Sequence, residues 1–304
     1  MIFRRIVVAF QTPTHNLGPQ HFRALMFVKS TVSPEKIRSI PAEVTLILDL
    51  EDSIPDDQKS RQRHRVRRMF HMGLFQDRKV ILRVNGPDRP EELHSDVIEC
   101  LHKDLDGIMI PMVQSAAEVK HGVDLIQRSE STLGLPPGRI SVIPLIERPG
   151  AVLSLQEIAR SSERVAALAF GHVDYCVEMH SEISEDCYQN AQQTVLQVAR
   201  SCKISAVSTV YLDLENKEGF KDQNRRMKKM GFDGCLALTP KQAQWALEIF
   251  SLTAEEIEHA RRVIATVKEQ GSIAMLDGEM VGPPMVKIAQ RILSQAALEK
   301  VEVA

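Results

Sequence analysis

The chain has 304 residues, 43% hydrophobic and 26% charged, which is long enough and apolar enough for one large core. Its formal net charge of −2 provides no whole-surface attraction to nucleic acid or to an anionic membrane. Its five cysteines, odd in number and without C-x-x-C spacing, offer neither a disulfide framework nor a zinc site, so a reducing, cytoplasmic setting without nucleic-acid or membrane partners is expected.

Residues 1–10, MIFRRIVVAF, read as an N-terminal extension, because the apolar run is short and interrupted and no small-residue cleavage site follows. Short apolar runs then recur at 24–28 (ALMFV), 44–50 (VTLILDL), 79–85 (KVILRVN), 107–112 (GIMIPM), 141–147 (SVIPLIE), 165–171 (VAALAFG), 206–211 (AVSTVY) and 234–239 (GCLALT). Continuous runs of this kind suit strands covered on both faces, and the segments 58–71, 115–128, 184–202 and 217–230 between them carry helical periodicity. Alternation predicts parallel βαβ units, and eight units predict an α/β fold of the TIM (β/α)8 barrel type over residues 1–252; the alternative is an open flavodoxin-like sheet. Two further helical stretches, roughly 253–270 and 284–299, flank a Gly-rich turn segment at 271–284 and form an expected C-terminal helical extension over 253–304. No stretch reaches the ~18 apolar residues of a membrane span.

In such a barrel the chemistry gathers at the carboxyl ends of the strands. There this chain places Asp49, Glu51 and Asp52 after the second strand, Arg83 and Asn85 after the third, Glu147 after the fifth and Asp174 just past the sixth. Carboxylate oxygens with open coordination positions suit a hard divalent cation and a substrate that chelates it. A planar guanidinium at Arg83 suits a substrate carboxylate. Each acid taken alone has an ordinary alternative as an N-cap of the following helix. For Glu147 that is harder to sustain, because it follows the apolar run VIPLI and an unpaired charge there is costly.

The chain resembles the citrate lyase β-subunit-like proteins of the HpcH/HpaI aldolase superfamily, which include malyl-CoA and citramalyl-CoA lyases. The resemblance runs through RALMFV (23–28), LILDLEDSIPDDQKSRQR (46–63), LRVN (82–85), IPLIERPG (143–150), LAFGHVDY (168–175), VYLDLENKEGF (210–220), GFDGCLALTPKQ (231–242) and LDGEMVGPP (276–284). It implies a carbon–carbon lyase on a TIM barrel, commonly a homotrimer, with Mg²⁺ or Mn²⁺ on Glu147 and Asp174. It implies a catalytic set of Arg83, Glu51 and Asp52, with Arg83 gripping the keto-acid end of the substrate, and acyl-CoA contacts from Arg23, Lys59 and Arg63. The implied reaction cleaves a 3-hydroxyacyl-CoA of citramalyl or malyl type to an acyl-CoA and an α-keto acid. The competing expectations are an aldolase on a free hydroxy-keto acid and a catalytically weak homologue that binds acyl-CoA and metal.

Departures from the family pattern cluster on the acyl-CoA side. Lys29-Ser30 replaces Pro-Gly after the first strand, Met112 replaces a lysine, Ser208 an aspartate and Thr239 a histidine; Gly282 replaces a C-terminal aspartate that the resemblance implies as acid/base. The remaining basic residues of 59–68 read as a solvated helix surface. His172 and His180 flank Asp174 and would make a metal triad with it, although neither matches a family ligand. Core packing is the ordinary expectation for Met112.

Overall fold

The computed structural model describes residues 16–298, so the extension expected at 1–10 lies outside the described residues. Eight parallel strands close into a barrel: β1 (Ala24–Lys29), β2 (Thr45–Asp49), β3 (Val80–Arg83), β4 (Gly107–Ile110), β5 (Ser141–Ile146), β6 (Ala167–Phe170), β7 (Ser205–Ser208) and β8 (Gly234–Ala237). Each pairs with the next and β8 returns to β1 through Ala24↔Cys235 and Met26↔Ala237, which excludes the open sheet.

Side chains alternate across a strand, and the two alternate sets here form separate clusters. Met26, Leu48, Leu82, Ile110, Ile146 and Phe170 pack outward with helix residues such as Val66, Val119 and Val195. Leu25, Ile47, Ile81, Met109, Ile143, Leu145 and Leu236 fill the barrel interior, with Phe27 packed against them. Continued by steps of two, the interior set reaches Lys29, Asp49, Arg83 and Glu147 at the carboxyl ends. Interior packing thus aims these charged side chains into the barrel mouth.

The amino end is closed by hydrogen-bonded charges. Arg164 makes two parallel bonds to Glu130, at 2.9 and 2.6 Å, and the same carboxylate accepts from the Gly138 and Ile140 amides, fixing the entry to β5.

A second compact unit begins at Ser251. It contains helices Ala254–Gln270 and Pro283–Leu298 around a core of Ala260, Val263, Leu276, Val281 and Ala289. Between them the segment expected as a turn is a hairpin of β9 (Ala274–Leu276) and β10 (Glu279–Val281). Asp277 and Gly278, both at positive φ, form its two-residue connection, the sequence pair that two-residue hairpins favour. Among the described residues no helix is long and apolar enough to cross a membrane.

Candidate active site

Arg83 is the hub of the mouth. Asp49 and Arg83 are cross-strand partners in register, and the guanidinium donates to Asp49 through Nε at 2.7 Å and Nη2 at 2.8 Å. Its remaining nitrogen, Nη1, lies 2.7 Å from Glu51 Oε2 and 3.2 Å from Asp52 Oδ2, while its carbon sits 4.8 Å from the centre of the Phe27 ring. Asp49 also accepts from the Glu51 and Ser53 amides, so one carboxylate orders both the arginine and the loop that follows β2. The two-pronged grip on a substrate carboxylate expected of Arg83 is not available to it. Its two-nitrogen edge is in fact committed to Asp49, and only Nη1 is presented to Glu51, Asp52 and an incoming ligand.

Glu147 is 3% exposed and accepts from the Met112 amide at Oε2, 3.0 Å away. Its Oε1 has no hydrogen-bond donor among the described residues and lies over Gly171, where an added Cβ would stand 2.6 Å from Oε1 and Cγ. Only glycine leaves that carboxylate its place. Asp174 enters from the first turn of the short helix His172–Glu178.

The electrostatics of this mouth are those of too many acids for the cations present. Burial, Asp52, Asp49 and Asp174 push the Glu51 carboxyl up to about 8 against the pull of Arg83. Burial and the neighbouring Glu51 hold Glu147 well above the usual carboxylate range, and burial with Asp52 raises Asp174. Clustered acids whose ionised forms are mutually destabilised, with one oxygen of Glu147 free of donors, fit a divalent cation. Among the described residues no group of three or more His, Cys, Asp or Glu side chains could by itself hold a metal. Two carboxylates completed by water and substrate, the arrangement magnesium favours, remain compatible with that finding.

Several expected contacts fall elsewhere. Arg23 precedes β1 and flanks the amino end of β8, where Gly234 lies against its backbone, so six residues of β1, about 20 Å at ~3.3 Å per residue, separate it from the mouth. A substrate contact from Arg23 is therefore corrected to a place at the opposite barrel end. Lys59 is 2% exposed and donates to the Leu50 and Glu51 carbonyls at 3.0 and 3.1 Å, which makes it a clamp on the β2 loop instead of a phosphate ligand. Arg63 is held by Glu92, Asp96 and Glu99 of the helix Pro90–Cys100, so its charge is already neutralised. The His172 ring packs its Nδ1 2.5 Å from Thr209 Oγ1, and burial depresses it to about 4, while His180 is exposed at positive φ; the triad with Asp174 does not form. Met112 is half-buried and lines a cavity, which replaces the expectation of core packing.

Two cavities meet these residues. The larger, about 800 Å³, is lined by Asp49, Asp52, Arg83, Glu147 and Asp174, by the apolar Phe27, Val32, Val210, Leu212, Leu236 and Leu238, and by Lys29 and Lys36. The smaller, about 300 Å³, is lined by Glu51, Asp52, Lys59, Met112, Asp174 and neighbours. Sequence reasoning missed Asp49 as the partner of Arg83, and Lys36 altogether. Strand parity carries a signal for Asp49; for Lys36 no local pattern exists.

A family profile described as HpcH/HpaI aldolase/citrate lyase matches residues 23–240. The citrate lyase subunit beta of Escherichia coli K12 is 31% identical over 284 residues, covering 91% of this chain and 93% of the relative. The L-malyl-CoA/beta-methylmalyl-CoA lyase of Rhodobacter capsulatus is 29% identical over 294 residues, covering 88% and 91%. Among solved structures, a citrate lyase from Burkholderia xenovorans LB400 superposes with a TM-score of 0.82 at 16% identity, covering 92% of this chain and 93% of that one. Protein CitE from Mycobacterium tuberculosis, in complex with magnesium, acetoacetate and coenzyme A, superposes with a TM-score of 0.72 at 23% identity, covering 90% and 97%.

Proposed function

The chain belongs to the HpcH/HpaI aldolase/citrate lyase family, and from that premise we propose that it is a divalent-metal-dependent lyase cleaving a 3-hydroxyacyl-CoA to an acyl-CoA and an α-keto acid. The observation that carries this reading is the cluster of Glu51, Glu147 and Asp174, all raised by burial and neighbouring acids, around the guanidinium of Arg83. Glu147 and Asp174 would hold Mg²⁺ or Mn²⁺, which supplies charge stabilisation for the chelating keto-acid oxygens.

The chain's own residues do the rest. Arg83, fixed by Asp49 and Phe27, offers Nη1 to the keto-acid carboxylate in exchange for Glu51 and Asp52. Glu51, its carboxyl raised by burial and the neighbouring acids, is the group suited, once a cation has displaced its own proton, to take the 3-hydroxyl proton as the carbon–carbon bond breaks; the acyl fragment leaves as its enolate, which a proton from solvent converts to the acyl-CoA. Support for a CoA thioester over a free acid comes from the larger cavity, where Lys29 and Lys36 stand beside the apolar Val32, Leu236 and Leu238. An extended ligand with an apolar middle and anionic phosphates suits that lining, and the two lysines take the role expected of Lys59 and Arg63. Steady-state assay of a panel of hydroxyacyl-CoAs and free hydroxy-keto acids, read by release of glyoxylate, pyruvate or oxaloacetate, tests the proposal. Turnover of a thioester supports it; turnover of free acids alone makes the protein an aldolase, and turnover of neither leaves the binding homologue.

A further inference from the structure

Met112 departs from ordinary backbone geometry at the point where it meets the acid cluster. Its φ is +56°, in the left-handed region that a non-glycine residue enters at a steric cost and that a β-branched residue scarcely enters. The residue faces two ways. Its amide donates to Glu147 Oε2 at 3.0 Å, and its side chain lines the smaller cavity with Asp52, Lys59 and Asp174. Across from it, a Cβ on Gly86 would stand 3.2 Å from Met112 Cβ and 3.3 Å from the Pro111 carbonyl, so the turn is packed closely on that side as well. Backbone strain retained against the carboxylate of Glu147 calls for a function, because nothing in the strand pairing of β4 demands it.

We propose that Met112 is a positioning residue for Glu147. Its left-handed backbone holds the amide on Oε2, so that Oε1 alone is left for the cation; the thioether side chain is incidental to this role. The inference rests on the reading of Glu147 as a metal ligand. Hydrogen bonds that orient a metal ligand typically contribute 10- to 100-fold in affinity. A residue that resists positive φ should therefore weaken the metal, whereas glycine, which adopts it without cost, should not.

The test is Mn²⁺ titration by calorimetry on the full-length protein, with thermal unfolding recorded alongside. Met112→Ile is expected to lose about tenfold or more in Mn²⁺ affinity and Met112→Gly to stay within about threefold of the parent. Wild-type affinity in Met112→Ile, or an equal loss in Met112→Gly, overturns the proposal. Should Met112→Ile fail to fold, Met112→Val, the smaller β-branched residue, replaces it, because its branched Cβ resists positive φ as isoleucine's does. Weaker binding in Val than in Gly then supports the backbone role, and equal binding overturns it. Glu147→Gln, titrated in parallel, separates the two layers: unchanged affinity there refutes the ligand reading and the positioning with it, whereas lost affinity there beside parental affinity in Met112→Ile overturns the positioning alone.

Discussion

Arg83 and Asp49 are adjacent in register at the carboxyl ends of β3 and β2, and their side chains meet through two parallel hydrogen bonds, Nε to Oδ1 at 2.7 Å and Nη2 to Oδ2 at 2.8 Å. Both are buried. Asp49→Asn should lower thermal stability, because the amide presents one acceptor and one NH2 where Asp49 presents two acceptors to the guanidinium. It should also lower kcat/KM, by ~10²-fold, as Arg83 loses the pair of bonds that fixes its direction. Arg83→Lys should lose turnover to a similar degree while keeping the fold, because an ammonium cannot span Asp49 and Glu51 together. Circular dichroism and steady-state kinetics on the two variants check this; wild-type kinetics in Arg83→Lys would remove Arg83 from the site.

The acid cluster sets a pH dependence whose sign follows from its direction. Glu51 moves from the ordinary 4.5 to about 8 in the fold, so between those values the native state holds the proton more tightly than the unfolded chain. Without metal, stability should fall as pH rises from about 5 to 8. Metal binding displaces those protons, so Mn²⁺ affinity should rise over the same interval and the loss of stability should be offset. Thermal melts from pH 5 to 9, with and without Mn²⁺, read both effects. A metal-free Tm that climbs steadily to pH 8 would contradict the assignment for Glu51.

Gly171 is predicted to be intolerant of the smallest side chain. A Cβ there would stand 2.6 Å from both Cγ and Oε1 of Glu147. Gly171→Ala must displace the carboxylate, so Mn²⁺ affinity should drop by about tenfold or more. An alanine variant that binds Mn²⁺ as the parent does would show that Glu147 can relocate without consequence.

Lys29 and Lys36 are predicted to serve the anionic end of the substrate. Lys29→Glu with Lys36→Glu should raise KM for the acyl-CoA by about tenfold or more, in a salt-dependent way, and leave kcat within about threefold. Kinetics at two ionic strengths decide it; an unchanged KM would move the thioester to another face.

Much of this arrangement is legible before any coordinates. The steps Leu25–Phe27–Lys29, Ile47–Asp49, Ile81–Arg83 and Ile143–Leu145–Glu147 share one parity, so the residues that fill the barrel also announce which charges reach its mouth. The partners of those charges are not legible, because each depends on a contact between residues distant in sequence. Arg83 finds Asp49 across 34 positions, Glu147 finds Met112 across 35 and His172 finds Thr209 across 37. Lys59 and Arg63 misled for the same reason. A basic residue in a mixed sequence carries no sign of whether a carbonyl pair or three carboxylates of the next helix await it. Asp277-Gly278 was readable as a hairpin from its own chemistry, with β-forming residues on either side.

Glu147 and Asp174 are proposed to hold the cation jointly, and calorimetric Mn²⁺ titration of Glu147→Gln and Asp174→Asn, each against the parent protein at pH 8, measures whether they do. Each variant is expected to lose about 100-fold or more in affinity while the barrel still melts cooperatively, because each removes one of only two carboxylates on a cation otherwise held by water and substrate. Parental affinity in both variants would show that the cation is held elsewhere.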